Sequence, residues 1–193
     1  DPAPIIEIPA AGRVGPAGVA TGYPRTPQGA VGQLAAITVS VLQGMSIEHT
    51  RTVHHAWTHR DAPAVQGWAL MGNVQSFLTA AGSHAHHARQ WTVVVTPVAA
   101  QVKGVDGDDW VLACVLYLVE ARIVTTARIG YGHCERMQWT TSSGDNGDTS
   151  AGGGSGRWVI GAGAPPARAP STWPGTDVAR QAGWLTWSPA EGQ

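Results

Sequence analysis

Two cysteines and eight histidines are the side chains best able to do chemistry in this chain of 193 residues. Cys114 and Cys134 stand equally far from Val124, the middle of a β-branched and aromatic stretch from Trp110 to Trp139. A hairpin folded near Val124 sets the two sulfurs opposite each other, as a cross-strand disulfide requires. With no cysteine left over, the pair points to an oxidising, exported setting. The alternative is two buried thiols in a reduced protein.

His49, His54, His55 and His59 fall on one predicted helix, and His84, His86 and His87 in the bend before the first β-run. His55 and His59 are one helical turn apart, which is a ligand spacing. No Cys, Asp or Glu joins them in a metal motif, and HEXXH is absent. Solvated helix and loop histidines are therefore expected, with a loose surface metal site as the alternative; no metal and no cofactor are assigned.

The acids are read in the same way. Glu120 sits in the apolar arm of the hairpin, where a carboxylate with a raised pKa could act as a base; a salt bridge with Arg122 or Arg128 is the expected reading. Asp106, Asp108 and Asp109 resemble a fragment of a calcium loop without its later ligands, so a polar turn suffices. Glu135 and Arg136 read as a surface ion pair. The Gly-rich run at 151–156 lacks the Lys-Ser/Thr of a phosphate loop, and no GxSxG elbow fixes a nucleophile. The tryptophans read as core anchors, with Trp173, Trp184 and Trp187 able to dock a partner. No catalytic constellation emerges, and an enzyme is not expected.

The elements that must hold these residues follow from periodicity. Residues 1–22 alternate Pro and Gly with small apolars and predict an extended lead-in. The start at Asp1 suggests that something upstream was removed, a signal or a membrane anchor. Thr26 and Pro27 open a helix whose buried face carries Val31, Leu34, Ala35, Thr38, Leu42 and Met45. Ser46 caps a second helix to about Arg60, and Asp61 a third that ends at Gly82. The run from Gln90 is β, with Pro97 demoting its middle to an edge or a bulge, and Asp106-Gly107 turns it into the hairpin. Both alternating sets of the first hairpin strand are apolar, so both of its faces are covered. Residues 140–156 read as a polar loop, Arg157–Ala162 as a last strand, and Pro174 as the start of a short helix. The sum is an α+β fold: three N-terminal helices packed on a strongly curved antiparallel sheet of about four strands, one domain over 23–187 with a tail at 188–193.

Composition bounds the partners. A net charge of −1 gives no drive towards nucleic acid or anionic membrane. No run reaches the roughly 20 apolar residues of a membrane helix.

Several stretches resemble extracytoplasmic proteins of actinobacterial conjugative and integrative elements. They are Gly22-Tyr23-Pro24-Arg25-Thr26-Pro27-Gln28-Gly29-Ala30-Val31, Gly130-Tyr131-Gly132-His133-Cys134-Glu135-Arg136-Met137, Ala164-Pro165-Pro166, and Pro170-Ser171-Thr172-Trp173-Pro174-Gly175-Thr176 with Ala182-Gly183-Trp184 behind it. Three helices before a bent sheet are also similar to the NTF2-like (cystatin-like) cone used by the VirB8 and TcpC families of type IV secretion channels. That resemblance implies a non-enzymatic extracytoplasmic assembly domain, tethered to the membrane through an upstream anchor. Its partners would be other channel subunits or further copies of itself, with no direct contact to nucleic acid. No functional site transfers with it. The rival is an NTF2-like small-molecule binder or isomerase/hydrolase-type enzyme, in which Glu120, Tyr117 or Tyr131 converge inside a deep cavity. A third reading makes the histidines sensors of pH or metal.

Overall fold

The computed structural model describes residues 4–84, 91–141 and 156–191. Thr26 opens helix α1 (Pro27–Gly44): its side-chain oxygen accepts from the Gly29 N–H at 3.0 Å, and Pro27, lacking an N–H, takes the first turn. Ser46 does the same for α2 (Ile47–Trp57), accepting from the His49 N–H at 3.1 Å. The third helix starts later than an Asp61 cap would place it. Ala64 is extended, a 3-10 turn occupies Val65–Gly67, and α3 runs Ala69–His84.

The predicted face of α1 is buried at Val31, Leu34, Ala35, Thr38, Leu42 and Met45, but so are Ala30, Ile37 and Val41 on its other sides. The reason is position. α1 touches the sheet along β4 (Thr92–Asp106) and β5 (Trp110–Arg122), and both other long helices lie against it. It is the central rod of the helical layer rather than a surface helix with one wet face.

β5 and β6 (Thr126–Thr141) form the expected hairpin, turning at residues 123–125. Cys114 pairs directly with Cys134, the Cα atoms are 4.0 Å apart, and the sulfurs are bonded. The register of β4 against β5 slips between Pro97 and Ala99, the bulge that proline imposes.

Among the described residues the sheet has six strands where about four were expected, and no strong curvature marks it. The additions are β1 (Ile5–Ile8), within the stretch read as a lead-in, and a strand at Leu185–Pro189. A short β2 (Arg13–Val14) and β3 (Ala20–Thr21) make a separate ribbon, β7 is Gly156–Ile160, α4 is Asp177–Gln181, and β8 is the Leu185–Pro189 strand. The order is β1-β8-β4-β5-β6-β7, antiparallel except for β1 beside β8. β1 and β8 leave no local signal because neither makes a hairpin with its chain neighbour; they find each other only across the whole domain.

The two faces of β5 are covered differently. Val111, Ala113, Val115 and Tyr117 face the helices, while Cys114 and Leu116 join Cys134, Ala169, Ala179 and Trp184 in a smaller core under the C-terminal crossing. That double cover is why both alternating sets had to be apolar. Among the described residues, no helix is long and apolar enough to cross a membrane.

Candidate functional site

Alternation along β6 sorts its middle into two sets. Gly130, Gly132 and Cys134 face the C-terminal crossing, and a Cβ on Gly130 would collide with the Thr172 carbonyl. Tyr131, His133 and Glu135 face the helices. There they join a chain of hydrogen bonds that ties α3 and the turn before it to the sheet.

Asn73 Nδ2 donates to the Tyr131 hydroxyl at 2.6 Å, and that hydroxyl lies 3.3 Å from His133 Nδ1. His133 Nε2 is 2.9 Å from Glu135 Oε1, which also accepts from Trp68 Nε1 at 2.8 Å. One proton order satisfies all of them. Asn73 donates to Tyr131, Tyr131 to Nδ1, a proton on Nε2 to Glu135, and the indole to the same carboxylate oxygen. The imidazole and the carboxylate are both buried, His133 at 6% and Glu135 at 6% exposure.

The tyrosines are tuned away from neutrality. Burial pushes Tyr131 up to about 12; the Asn73 bond and Arg168 oppose this and Glu135 adds to it. Tyr117, whose ring lies 6.3 Å from that of Tyr131, is raised well above its ordinary value by complete burial. Thr38 offers its hydroxyl to Tyr117, but neither oxygen reaches hydrogen-bonding geometry.

The chain of bonds lines a cleft of about 610 Å³ between α3 and the crossing at Pro165–Ser171. His54 enters from α2, its Nε2 2.9 Å from the Pro63 carbonyl and its ring 5.1 Å from that of Trp68. Arg168 stands on the opposite wall and makes no ion pair among the described residues. Asn73, Ser76 and Tyr131 also border a smaller, apolar hollow of about 230 Å³ beside Met45, Phe77 and Ile129. A more open groove of about 670 Å³ runs beside β1 and Pro24–Gln28, but Glu7 is the sole ionisable group among its described lining residues. Its volume is similar and its chemistry poorer.

The predicted residues mostly lie elsewhere. Glu120 pairs with Arg128 at 2.9 Å on the surface, so it does not converge with Tyr117 and Tyr131. Asp109 pairs with Arg25 at the turn where Gly107 takes φ 56°, and Asp106 begins that turn. Glu135 and Arg136 are not an ion pair: successive strand residues point to opposite faces, and Arg136 Nε donates to the Ala164 carbonyl. His49 bonds Ser40 at 2.9 Å, His55 is exposed, and His59 Nδ1 accepts from the Asp61 N–H. The side chains of His84, His86 and His87 lie outside the described residues, as does most of the 140–156 loop. Trp184 is buried, Trp187 packs on the main core, and Trp173 is 51% exposed. His133 belongs to this site and to none of the predicted histidine groups. Its signal was the spacing Tyr131-x-His133-x-Glu135, which puts three polar side chains on one face of a strand.

No protein family, no curated protein and no solved structure matches this chain.

Proposed function

We propose that this is a non-enzymatic extracytoplasmic assembly domain of a conjugative, type IV secretion-like transfer apparatus, working by protein–protein contact. The observation that carries the non-enzymatic part is that Tyr131, His133 and Glu135 bond to one another and to Trp68 rather than standing free in the cleft. Glu135 is used by Trp68 and His133, His133 by Glu135 and Tyr131, and burial pushes Tyr131 away from the pH at which it could trade protons. A general base needs a pKa near the working pH and a free lone pair facing substrate. The Cys114–Cys134 bond supports the outward-facing location. The family likeness rests on the stretches quoted from the sequence and on helices layered over a largely antiparallel sheet.

The test is genetic. Deleting the domain should abolish transfer of the element, while Tyr131→Phe at unchanged protein level should leave transfer within a few-fold of wild type. Loss of transfer in Tyr131→Phe would instead favour the pocket-based reading, in which the cleft does chemistry. Unchanged transfer in the deletion strain would remove the assembly reading.

A further inference from the structure

Five consecutive residues of β6, Tyr131 to Glu135, line the cleft. A sheet face would contribute every second residue, so this wall is the edge of the strand. No strand lies along this part of the edge because the neighbouring strand is short. β7 pairs with β6 only from Met137 to Thr141, and the last main-chain bond runs from the Gly161 N–H to the Arg136 carbonyl at 2.6 Å. Beyond it the chain turns away at Gly163, φ 102°, into Pro165-Pro166.

The direction of the main-chain groups follows from the alternation of an antiparallel ladder. The Arg136 carbonyl points outward to Gly161, and the Gly132 N–H points outward to Ser171 Oγ at 3.1 Å. Even-numbered residues therefore address the cleft, and the close 4.0 Å approach of Cys114 and Cys134 is that of a pair not bonded through the main chain. The Gly132 carbonyl and both main-chain groups of Cys134 make no hydrogen bond on this side among the described residues. The crossing gives them no main-chain bond among the described residues, and Pro165, Pro166 and Pro170 have no N–H to offer a carbonyl. The other partly open edge is treated differently. β8 bonds β4 only at Ala99 and Ala100, and beyond it Gln43 accepts from the Val95 N–H at 3.0 Å.

We infer that the β6 edge in this cleft receives an extended peptide segment of a partner protein, which adds as a strand beyond the end of β7 and presents a carboxylate to Arg168. The occupant is a peptide because a main chain in β-conformation offers donor and acceptor at the repeat at which Gly132 and Cys134 present theirs. About five residues match the length of the Tyr131–Glu135 wall at roughly 3.4 Å per residue. Trp68 on one wall and Pro166 on the other receive its alternate side chains, and Arg168, exposed and in no ion pair among the described residues, selects an acidic residue or a chain terminus. The inference rests on the assembly reading, and names the form in which a partner docks.

Gly72 supplies the test. It lines the cleft from α3, and a Cβ there would meet nothing within 4 Å, so Gly72→Trp fills the cleft in a helix it also favours. A displayed library of random heptapeptides, selected on the 193-residue chain, provides the probe. Selected peptides should slow deuterium exchange at the Cys134 amide about tenfold or more. They should carry an acidic residue or depend on their C-terminus, and should bind Gly72→Trp at least about tenfold more weakly. The exchange measurement stands on the wild-type chain alone, should Gly72→Trp not fold. Failure to select any peptide, unchanged exchange at Cys134, or equal binding by folded Gly72→Trp overturns the inference. In cells, Gly72→Trp that keeps all neighbour cross-links overturns it too while leaving assembly standing; a wild-type chain without neighbour cross-links refutes assembly itself.

Discussion

Glu135 is the place to press hardest on the buried hydrogen-bond chain. Its Oε1 accepts from Trp68 Nε1 at 2.8 Å and faces His133 Nε2 at 2.9 Å, and the residue is 6% exposed. Glu135→Ala removes the acceptor and leaves two buried donors unmet. Each such donor costs about 1–3 kcal/mol, and hydrogen bonds to a charged group sit at the upper end. The adjoining cleft lets water relieve part of this, so the expected loss is about 2–5 kcal/mol. Glu135→Gln keeps an acceptor oxygen of nearly the same shape and gives up only the charge, which sets its loss at about 1–2 kcal/mol. Urea unfolding followed by far-UV circular dichroism at neutral pH measures both variants. The gap between them is the informative quantity. If Ala costs less than about 1 kcal/mol, or if Gln costs as much as Ala, then acceptance by Glu135 is not what fastens Trp68 and α3 to the sheet.

Two further outcomes test the packing. All three tyrosines of the chain, Tyr23, Tyr117 and Tyr131, have a titration raised by burial, so the native protein should show well under half of its full tyrosinate absorbance at pH 10.0, where a free tyrosine is half ionised. The sign follows from protons held longer by the folded state: the stabilisation is complete below the unfolded value of 10.0 and lost as pH rises through about 12 for Tyr131, an effect of roughly 3 kcal/mol from that residue. An ionisation curve centred near 10 with the fold intact would contradict it. Opening the Cys114–Cys134 bond, which closes a separation of 20 residues, should cost about 3 kcal/mol by loop entropy and lower Tm by roughly 6–12 °C. A Cys114→Ala/Cys134→Ala chain melting within about 2 °C of the oxidised protein would show that the hairpin is already held in register by its ladder alone.

What one stretch of sequence carried by itself was local. Thr26-Pro27 and Ser46 cap their helices because a side-chain oxygen a few residues from an orphan N–H is all that a cap requires. The hairpin and its disulfide were legible because a two-strand ladder is symmetric about its turn, so equal counting from Val124 brings Cys114 to Cys134. Doubly apolar β5 announced cover on both faces. None of these statements needed knowledge of any distant segment.

What the sequence could not carry was any contact made between segments far apart in the chain. β1 and β8 are ordinary short stretches until parallel pairing across about 180 residues makes them strands. Glu135 looked like a surface partner for Arg136, and became a buried acceptor only because Trp68, 67 positions earlier, is brought beside it. The cleft depends on how soon β7 ends, which is set by where the Pro-rich crossing leaves the sheet. Caps and turns are decided by groups within a few residues, where chain connectivity has already met the entropy of bringing them together. Sites are decided by which distant surfaces pack, and only the folded chain settles that.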